Sequence, residues 1–477
     1  MGKTIGIDFG TTTSSAAYHD GVAVRLFETP EGGRIMPSAV SITEKGKKLV
    51  GQAALNELPE NPDYTYVNIK RHMGEAWNPN EHQAFQTIET DKGELGFIGP
   101  DRNYLPEELA TLILAELKRM AAAEIGEVTG AVITVPSDCS EAQKEATIRA
   151  GKAAGFEKVQ TLIEPMAAAL AYGVGQKDFR RVAVYDFGGG TFDIALMLVR
   201  NDDFKELKQL SINDLGGADF DQRIARYVTD IFREKHAGQI EDEIHNAQIA
   251  NIEFQSEGAK KKLSTNETAR IRATFVARDT EGNPLHLNHE LSQAEFEGLV
   301  HDFIERTIQT CDDCMRLNDR TIDEIDDVLL VGGMTRVPAV RRAVETYFKK
   351  PAVQRNPDTI VAEGAAIKAA QIDGRIDLGH KTTTPASYGI QNIEGGFLRI
   401  IPRGSPIGFS KTVKLTTELD DQPFLRLTIV RGDEDDAADN ELVDVRDLPV
   451  KPAKAGKVTV PLTLSLDDSG ALQIKTG

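Results

Sequence analysis

The chain has 477 residues, more than one compact domain usually holds, so two or more domains are expected. A formal net charge of −19, with no basic run or basic half, argues against a binder of nucleic acid or of an anionic membrane. No stretch approaches the roughly 18 apolar residues that span a bilayer, and the three cysteines form no framework, which points to a reducing compartment.

In chain order, strands and helices alternate through the first three-quarters, which favours an α/β architecture. Residues 4–7 read as a strand, followed by the turn Asp8-Phe9-Gly10-Thr11-Thr12-Thr13 and a returning strand. Residues 21–26 and 35–42 read as further strands around a Pro30 to Gly33 turn. A long helix is predicted over 105–125 with Pro106 in its first turn. Residues 131–135 form a buried-strand run stopped by Pro136. Ser140 and Gln143 make a capping box for a helix ending near Gly155. A strand over 159–163 leads into Glu164-Pro165 and a small-residue helix over 166–172.

The second half repeats this grammar. Residues 182–185 precede a second turn, Asp186-Phe187-Gly188-Gly189-Gly190-Thr191-Phe192-Asp193, within a run of strands to residue 212. Helices are expected over 220–232 and 244–263, and a third runs from a Ser292–Glu295 capping box to about residue 317. That last helix carries Cys311 and Cys314; with no second pair and no adjacent histidine they read as two helix-face thiols rather than as a zinc or redox centre. A strand over 327–331, a Gly332-Gly333 turn and helices over 337–348 and 359–371 complete the α/β part. From about residue 385 helix signals vanish, and short alternating runs such as 425–429 and 458–460 predict a separate all-β module.

Both aspartate–glycine–threonine turns have the chemistry of a phosphate cradle. Glycine lets the backbone approach an anion, and turn N–H groups and threonine hydroxyls can donate to its oxygens. Nearby aspartates suit a hydrated divalent cation. Two such turns facing across a cleft would hold ATP and Mg2+ between two related lobes.

Taken together, Asp8-x-Gly10-Thr11, Val135-Pro136, Glu164-Pro165-x-Ala167-Ala168-Ala169, the Asp186–Asp193 turn and Gly332-Gly333 resemble the actin, hexokinase and heat-shock ATPase superfamily. Within it the chain most resembles the seventy-kilodalton heat-shock family of DnaK-like chaperones. The segments 5–14, 68–74, 131–137, 163–173, 215–221, 256–264 and 331–338 follow that family's order, and 431–433, 437–440 and 466–474 extend the match into the β module. The resemblance implies a two-lobed actin-like ATPase domain (a duplicated ribonuclease-H-like fold) over 1–374, a linker over 375–384 and a β-sandwich peptide-binding domain over 385–477.

It also implies roles. Lys70, Glu164, Thr191 and Asp186 would be catalytic, with Lys70 facing the γ-phosphate and Glu164 orienting or deprotonating water. Gly10, Thr11, Thr12, Thr13, Gly188, Gly189 and Gly190 would bind phosphates. Glu257, Lys260, Lys261, Gly332, Gly333, Arg336 and Asp358 would bind adenosine. Asp8, Asp186 and Asp193 would hold Mg2+, with K+ nearby, and Pro136 would relay nucleotide state. Leu398, Leu415, Leu425 and Leu427 would line an extended-peptide groove; the bare sequence reads the same leucines as sandwich core. The implied function is a cytoplasmic chaperone with slow ATP hydrolysis, taking unfolded segments as clients and working with a J-domain co-chaperone and a nucleotide-exchange factor.

Three departures bear on this. The linker stretch 375–380 contains only Ile376 and Leu378 as apolar residues, which weakens the expected interdomain coupling and favours an alternative, a non-enzymatic ATP-gated scaffold or partner-binding module. No helical lid follows the β module before Gly477, so faster peptide release is expected. Met166 and Met334 stand where the family has threonine and serine, and Met334 removes a hydroxyl from the nucleotide side, which predicts weaker affinity. A third reading, a small-molecule kinase, has no sugar pocket evident in the β module.

Overall fold

The computed structural model describes residues 2–78, 87–173, 179–200, 203–240, 244–376, 384, 386–393, 395–406, 408–417, 419–467 and 471–476. The linker residues 377–383 lie outside that set. The chain divides into two compact units, residues 1–378 and 379–477.

In the first unit two sheets repeat one plan. Lys3–Phe9 has Thr13–His19 and then Val24–Leu26 antiparallel on one side, and Val128–Val135 and then Lys158–Ile163 parallel on the other. Arg180–Phe187 likewise has Phe192–Arg200 and Asp203–Ile212 antiparallel on one side, and Asp327–Val331 and Val353–Gln354 parallel on the other. A tight turn suffices for an antiparallel partner, whereas each parallel one needs a crossover. Helices Pro106–Ile125 and Glu141–Ala153 supply the crossovers of the first copy, and His301–Leu317 and Pro338–Phe348 those of the second. This is the duplicated ribonuclease-H-like order that the resemblance implies.

Each sheet carries its own core. Ile5, Ile7, Phe9 and Ile133 pack with Leu109, Ile113 and Leu117 in the first lobe. Tyr185, Phe187, Phe192, Phe220 and Val340 pack in the second. A third cluster joins them through two helices of small residues, Glu164–Gly173 and Ile360–Ile372. Their composition permits backbone contact. A Cβ on Gly364 would lie 1.8 Å from the Ala167 carbonyl oxygen, and one on Gly6 would lie 2.0 Å from the Ala366 nitrogen. The alanine-rich sequence therefore builds a close-packed axis between the lobes, on which Glu164 is the first helical residue.

Several elements differ from the sequence expectation. The strand expected over 35–42 is split into Met36–Pro37 and Val40–Ile42. Ser38 leaves the ladder because its N–H donates to the Thr12 carbonyl and its hydroxyl to the Gly10 carbonyl. The helix expected from 292 to 317 is two, Gln293–Leu299 and His301–Leu317, parted at buried Val300 (φ −115°, ψ 9°), a β-branched residue that tolerates leaving the helical region. The hairpin of Thr268–Arg278 and Pro284–Ser292 stands where the sequence predicts no element.

The second unit is a β-sandwich. One sheet orders Phe397–Ile401, Ser387–Gln391, Phe424–Gly432 and Glu441–Pro449; the other orders Ser410–Thr416, Thr459–Leu466 and Leu472–Thr476, all antiparallel. Tyr388, Ile400, Leu427 and Ile429 from one sheet share a core with Leu462, Leu464 and Leu466 from the other. No helix among the described residues is long and apolar enough to cross a membrane.

Candidate functional site

The two glycine–threonine turns face each other at the ends of the two central strands. A Cβ on Gly189 would lie 1.8 Å from Thr12 Oγ1, and one on Gly190 would lie 2.8 Å from Thr11 Cγ2. Only glycine allows this approach. Gly10 is required within its own turn, since its Cβ would come 2.2 Å from the Thr13 carbonyl oxygen.

The turns are braced differently. Ser38 holds the first through the two bonds to Gly10 and Thr12, 2.7 and 2.8 Å long. The second is held by the start of helix Gly217–Lys235: Gly217 N–H donates to the Gly188 carbonyl at 3.1 Å, and Ala218 N–H to that of Gly189 at 2.9 Å. The next carbonyl, of Gly190, accepts from the Arg71 guanidinium. Neither Ser38 nor Arg71 has a role in the sequence reading, although Arg71 lies in a quoted motif segment. No signal in the sequence marks Ser38, since 35–42 reads as one unbroken strand.

Charged groups converge beneath the turns. Lys70, on the short 3-10 helix Ile69–His72, donates to the Glu164 carboxylate. Asp186 and Asp193 are directly opposed in the antiparallel ladder, and Asp8 lies one residue before the end of the corresponding central strand of the other lobe. Asp8 accepts from Thr134 Oγ1 at 3.1 Å, and Asp193 accepts from Ser211. Burial, with repulsion from Glu164 second, pushes the carboxyls of Asp8 and Asp193 up to about 7. The same two causes raise Asp186 well above the ordinary carboxylate range. Burial alone would depress the Lys70 ammonium, yet attraction to Glu164 and Asp8 outweighs it and the pKa rises. Glu164, Asp8 and Asp186 thus share one ammonium, with Asp193 opposed to Asp186, and the excess buried negative charge is the condition a divalent cation relieves. No three described His, Cys, Asp or Glu side chains stand close enough to hold a metal directly. Carboxylate oxygens are the donor type that a hard divalent cation takes, directly or through water.

The residues expected around adenosine gather on the second lobe, though not all as free side chains. Lys260 is buried, its ammonium 2.7 Å from both the Gly217 carbonyl and Asp221 Oδ2, so it ties helix Asn246–Leu263 to the start of helix Gly217–Lys235. Burial pushes Asp221 up to about 7 despite that ammonium. Lys261 is exposed and pairs with Glu257 at 2.7 Å. Arg336 pairs with Asp358, Nε to Oδ2 at 2.8 Å. Gly332 takes a left-handed conformation (φ 82°), and a Cβ there would lie 2.3 Å from the Phe187 carbonyl oxygen. Met334 is buried in the second-lobe core, with Sδ 3.1 Å from where a Gly217 Cβ would sit.

Elsewhere, Pro136 follows strand Val128–Val135, and its carbonyl accepts from Cys139 N–H at 3.3 Å. Cys311 and Cys314 are fully buried in the second-lobe core. In the sandwich, Leu427 is core and Leu415 packs against it, Leu425 is buried, and Leu398 is 47% exposed. These four leucines are not gathered on one open surface.

A family model described as Hsp70 protein matches residues 4–477.

Proposed function

Because the chain belongs to the Hsp70 protein family, whose members are ATPases and chaperones with ATP-regulated binding, we propose that it hydrolyses ATP slowly between the two facing turns to control binding of extended apolar peptide segments. The observation that carries this reading is the Lys70–Glu164 pair beneath two mutually contacting glycine–threonine turns. We assign the nucleotide-binding domain to 1–374, the linker to 375–384 and the peptide-binding sandwich to 385–477.

The turn residues Gly10, Thr11, Thr12, Thr13, Gly188, Gly189 and Gly190 hold the phosphates, with Thr191 at the γ-phosphate. Lys70 places positive charge where negative charge spreads during phosphoryl transfer. Glu164 orients the attacking water and takes its proton. The Glu164 carboxylate is held by Lys70 in this structure, so base and cation compete for each other, which supports a turnover well below the ~10 per second of a median enzyme. Asp8, Asp186 and Asp193 would hold a hydrated Mg2+, which would neutralise phosphate charge, and K+ would accompany it. Glu257, Lys261, Gly332, Gly333, Arg336 and Asp358 border adenosine, and Lys260 fixes that border from behind. Leu398 offers an apolar contact for peptide, and Leu415, Leu425 and Leu427 support the sandwich beneath. Pro136 relays nucleotide state, and a J-domain co-chaperone and an exchange factor act on the cycle in the cytoplasm.

A non-enzymatic ATP-gated scaffold is the second reading, favoured by the sparse apolar content of 375–380. ATP turnover of the pure protein, with and without an unfolded polypeptide, separates the two. Stimulated turnover supports the chaperone ATPase, and nucleotide binding without turnover leaves the scaffold.

A further inference from the structure

We infer that Arg71 is a positioning residue that sets the preference for a nucleoside triphosphate over a diphosphate; this rests on the nucleotide site proposed above. The inference begins with three consecutive carbonyls. Those of Gly188 and Gly189 accept from Gly217 and Ala218 N–H, and that of Gly190 accepts from Arg71. A trans peptide unit is planar, with its N–H opposed to its C=O. Pinning the three carbonyls therefore turns the N–H groups of Gly189, Gly190 and Thr191 the opposite way, into a row of donors suited to phosphate oxygens.

The three pins are not equivalent. The first two come from the helix that follows in the same lobe, so they hold whenever the second lobe is folded. The third comes from the first lobe, from the residue beside Lys70 on the short helix Ile69–His72. It governs the peptide unit whose N–H belongs to Thr191, the residue assigned to the terminal phosphate. One guanidinium thus joins the outermost donor of the second turn to the segment carrying the Lys70 ammonium.

Two further observations fit this role. A Cβ on Gly190 would lie 2.9 Å from both Nε and Nη2 of Arg71, so this glycine leaves room for the guanidinium as well as for phosphate. Arg71 Nε is itself buried without a partner among the described residues, a donor that an anion oxygen would satisfy. The Asp219 carboxylate, which feels the Arg71 charge, is itself engaged by Gly216 N–H at 2.7 Å. Binding of the α- and β-phosphates can rely on the donors pinned within the second lobe, whereas a third phosphate also needs the one that Arg71 sets.

The test measures Mg·ATP and Mg·ADP dissociation constants by calorimetry for wild type, Arg71→Ala and Arg71→Lys in the full chain, with thermal unfolding as a folding check. Arg71→Ala is expected to weaken ATP about tenfold or more while ADP changes less than about threefold, the loss of one hydrogen bond to a charged group. Arg71→Lys, which keeps a single donor, is expected to recover part of the ATP affinity. Equal weakening of both nucleotides, or no change in either, overturns the inference while leaving the nucleotide site standing. If Arg71→Ala does not fold, the lysine variant decides, since a merely structural arginine would leave its ATP-to-ADP ratio at the wild-type value. Wild-type protein that binds neither nucleotide overturns the proposed site and the inference with it.

Discussion

The two glycine–threonine turns are copies of one motif on copies of one sheet, yet they are supported in opposite ways. The Gly10 turn is braced by one residue, Ser38, through its hydroxyl and its N–H, from an interrupted strand of its own lobe. The Gly188–Gly190 turn is braced by backbone donors at a helix start and by an arginine from the other lobe. The first copy brings one carboxylate to the centre, the second brings two opposed ones. Duplication has fixed the strand order and the turn chemistry, and divergence has gone into what surrounds them. The second turn is consequently the one whose geometry depends on the lobes being together.

Five substitutions test this contrast. The largest effect is expected from Lys70→Ala, which removes the ammonium paired with Glu164 beneath the turns. Hydrolysis should fall at least about a hundredfold, in line with loss of a single charged stabiliser, while ATP binding measured by calorimetry changes little. An equal loss of both would make Lys70 a binding residue instead.

Asp193→Asn addresses the second turn's excess carboxylate by pH. The folded carboxyl lies at about 7, raised above its unfolded value, so its stabilising contribution is complete below the ordinary carboxylate range and is lost as pH rises toward 7. Without divalent cations the asparagine variant should gain on wild type between pH 5 and pH 8, by on the order of 1–4 kcal/mol. Urea unfolding at the two pH values measures this, and a parallel pair of curves would refute it.

Gly10→Ala and Gly189→Ala compare the turns directly. At Gly10 the new methyl meets backbone of its own turn, whereas at Gly189 it meets the Thr12 side chain across the cleft. Gly10→Ala should therefore lower stability by about 1–3 kcal/mol. Gly189→Ala should lose less stability and more nucleotide affinity. The reverse ranking in thermal shift and calorimetry would mean that the turns do not face each other in solution. The smallest effect belongs to Ser38→Ala, which removes the hydroxyl that holds the Gly10 carbonyl and leaves the backbone N–H on the Thr12 carbonyl. About 1 kcal/mol of stability is expected to go, with a few-fold rise in the ATP dissociation constant, and an unchanged constant would show that the first turn holds its shape unaided.

Much of the fold was legible because it is local. The helix Pro106–Ile125 begins at its proline and ends at Gly126, and Ser140 and Ser292 cap the helices their sequences announce. The hairpin Thr268–Arg278 was missed although Ala269, Ile271 and Ala273 alternate with Arg270 and Arg272, because alanine and arginine give that alternation little strand character. The expected adenosine role of Lys260 gave no sign that its ammonium is engaged by Asp221, a residue 39 positions earlier. Helical spacing places a lysine on a face but says nothing of what that face meets.

By itself the sequence determined the two turns, their glycines, the order of strands and helices and the change to an all-β module, since each follows from backbone preferences and short-range periodicity. Only the tertiary structure decided which charges share a site. Lys70 and Glu164 are 94 residues apart in sequence and bonded in space. The raised carboxyls of Asp8 and Asp193 exist because folding buries them near Glu164. Desolvation and Coulomb interaction depend on distance through the folded molecule rather than along the chain.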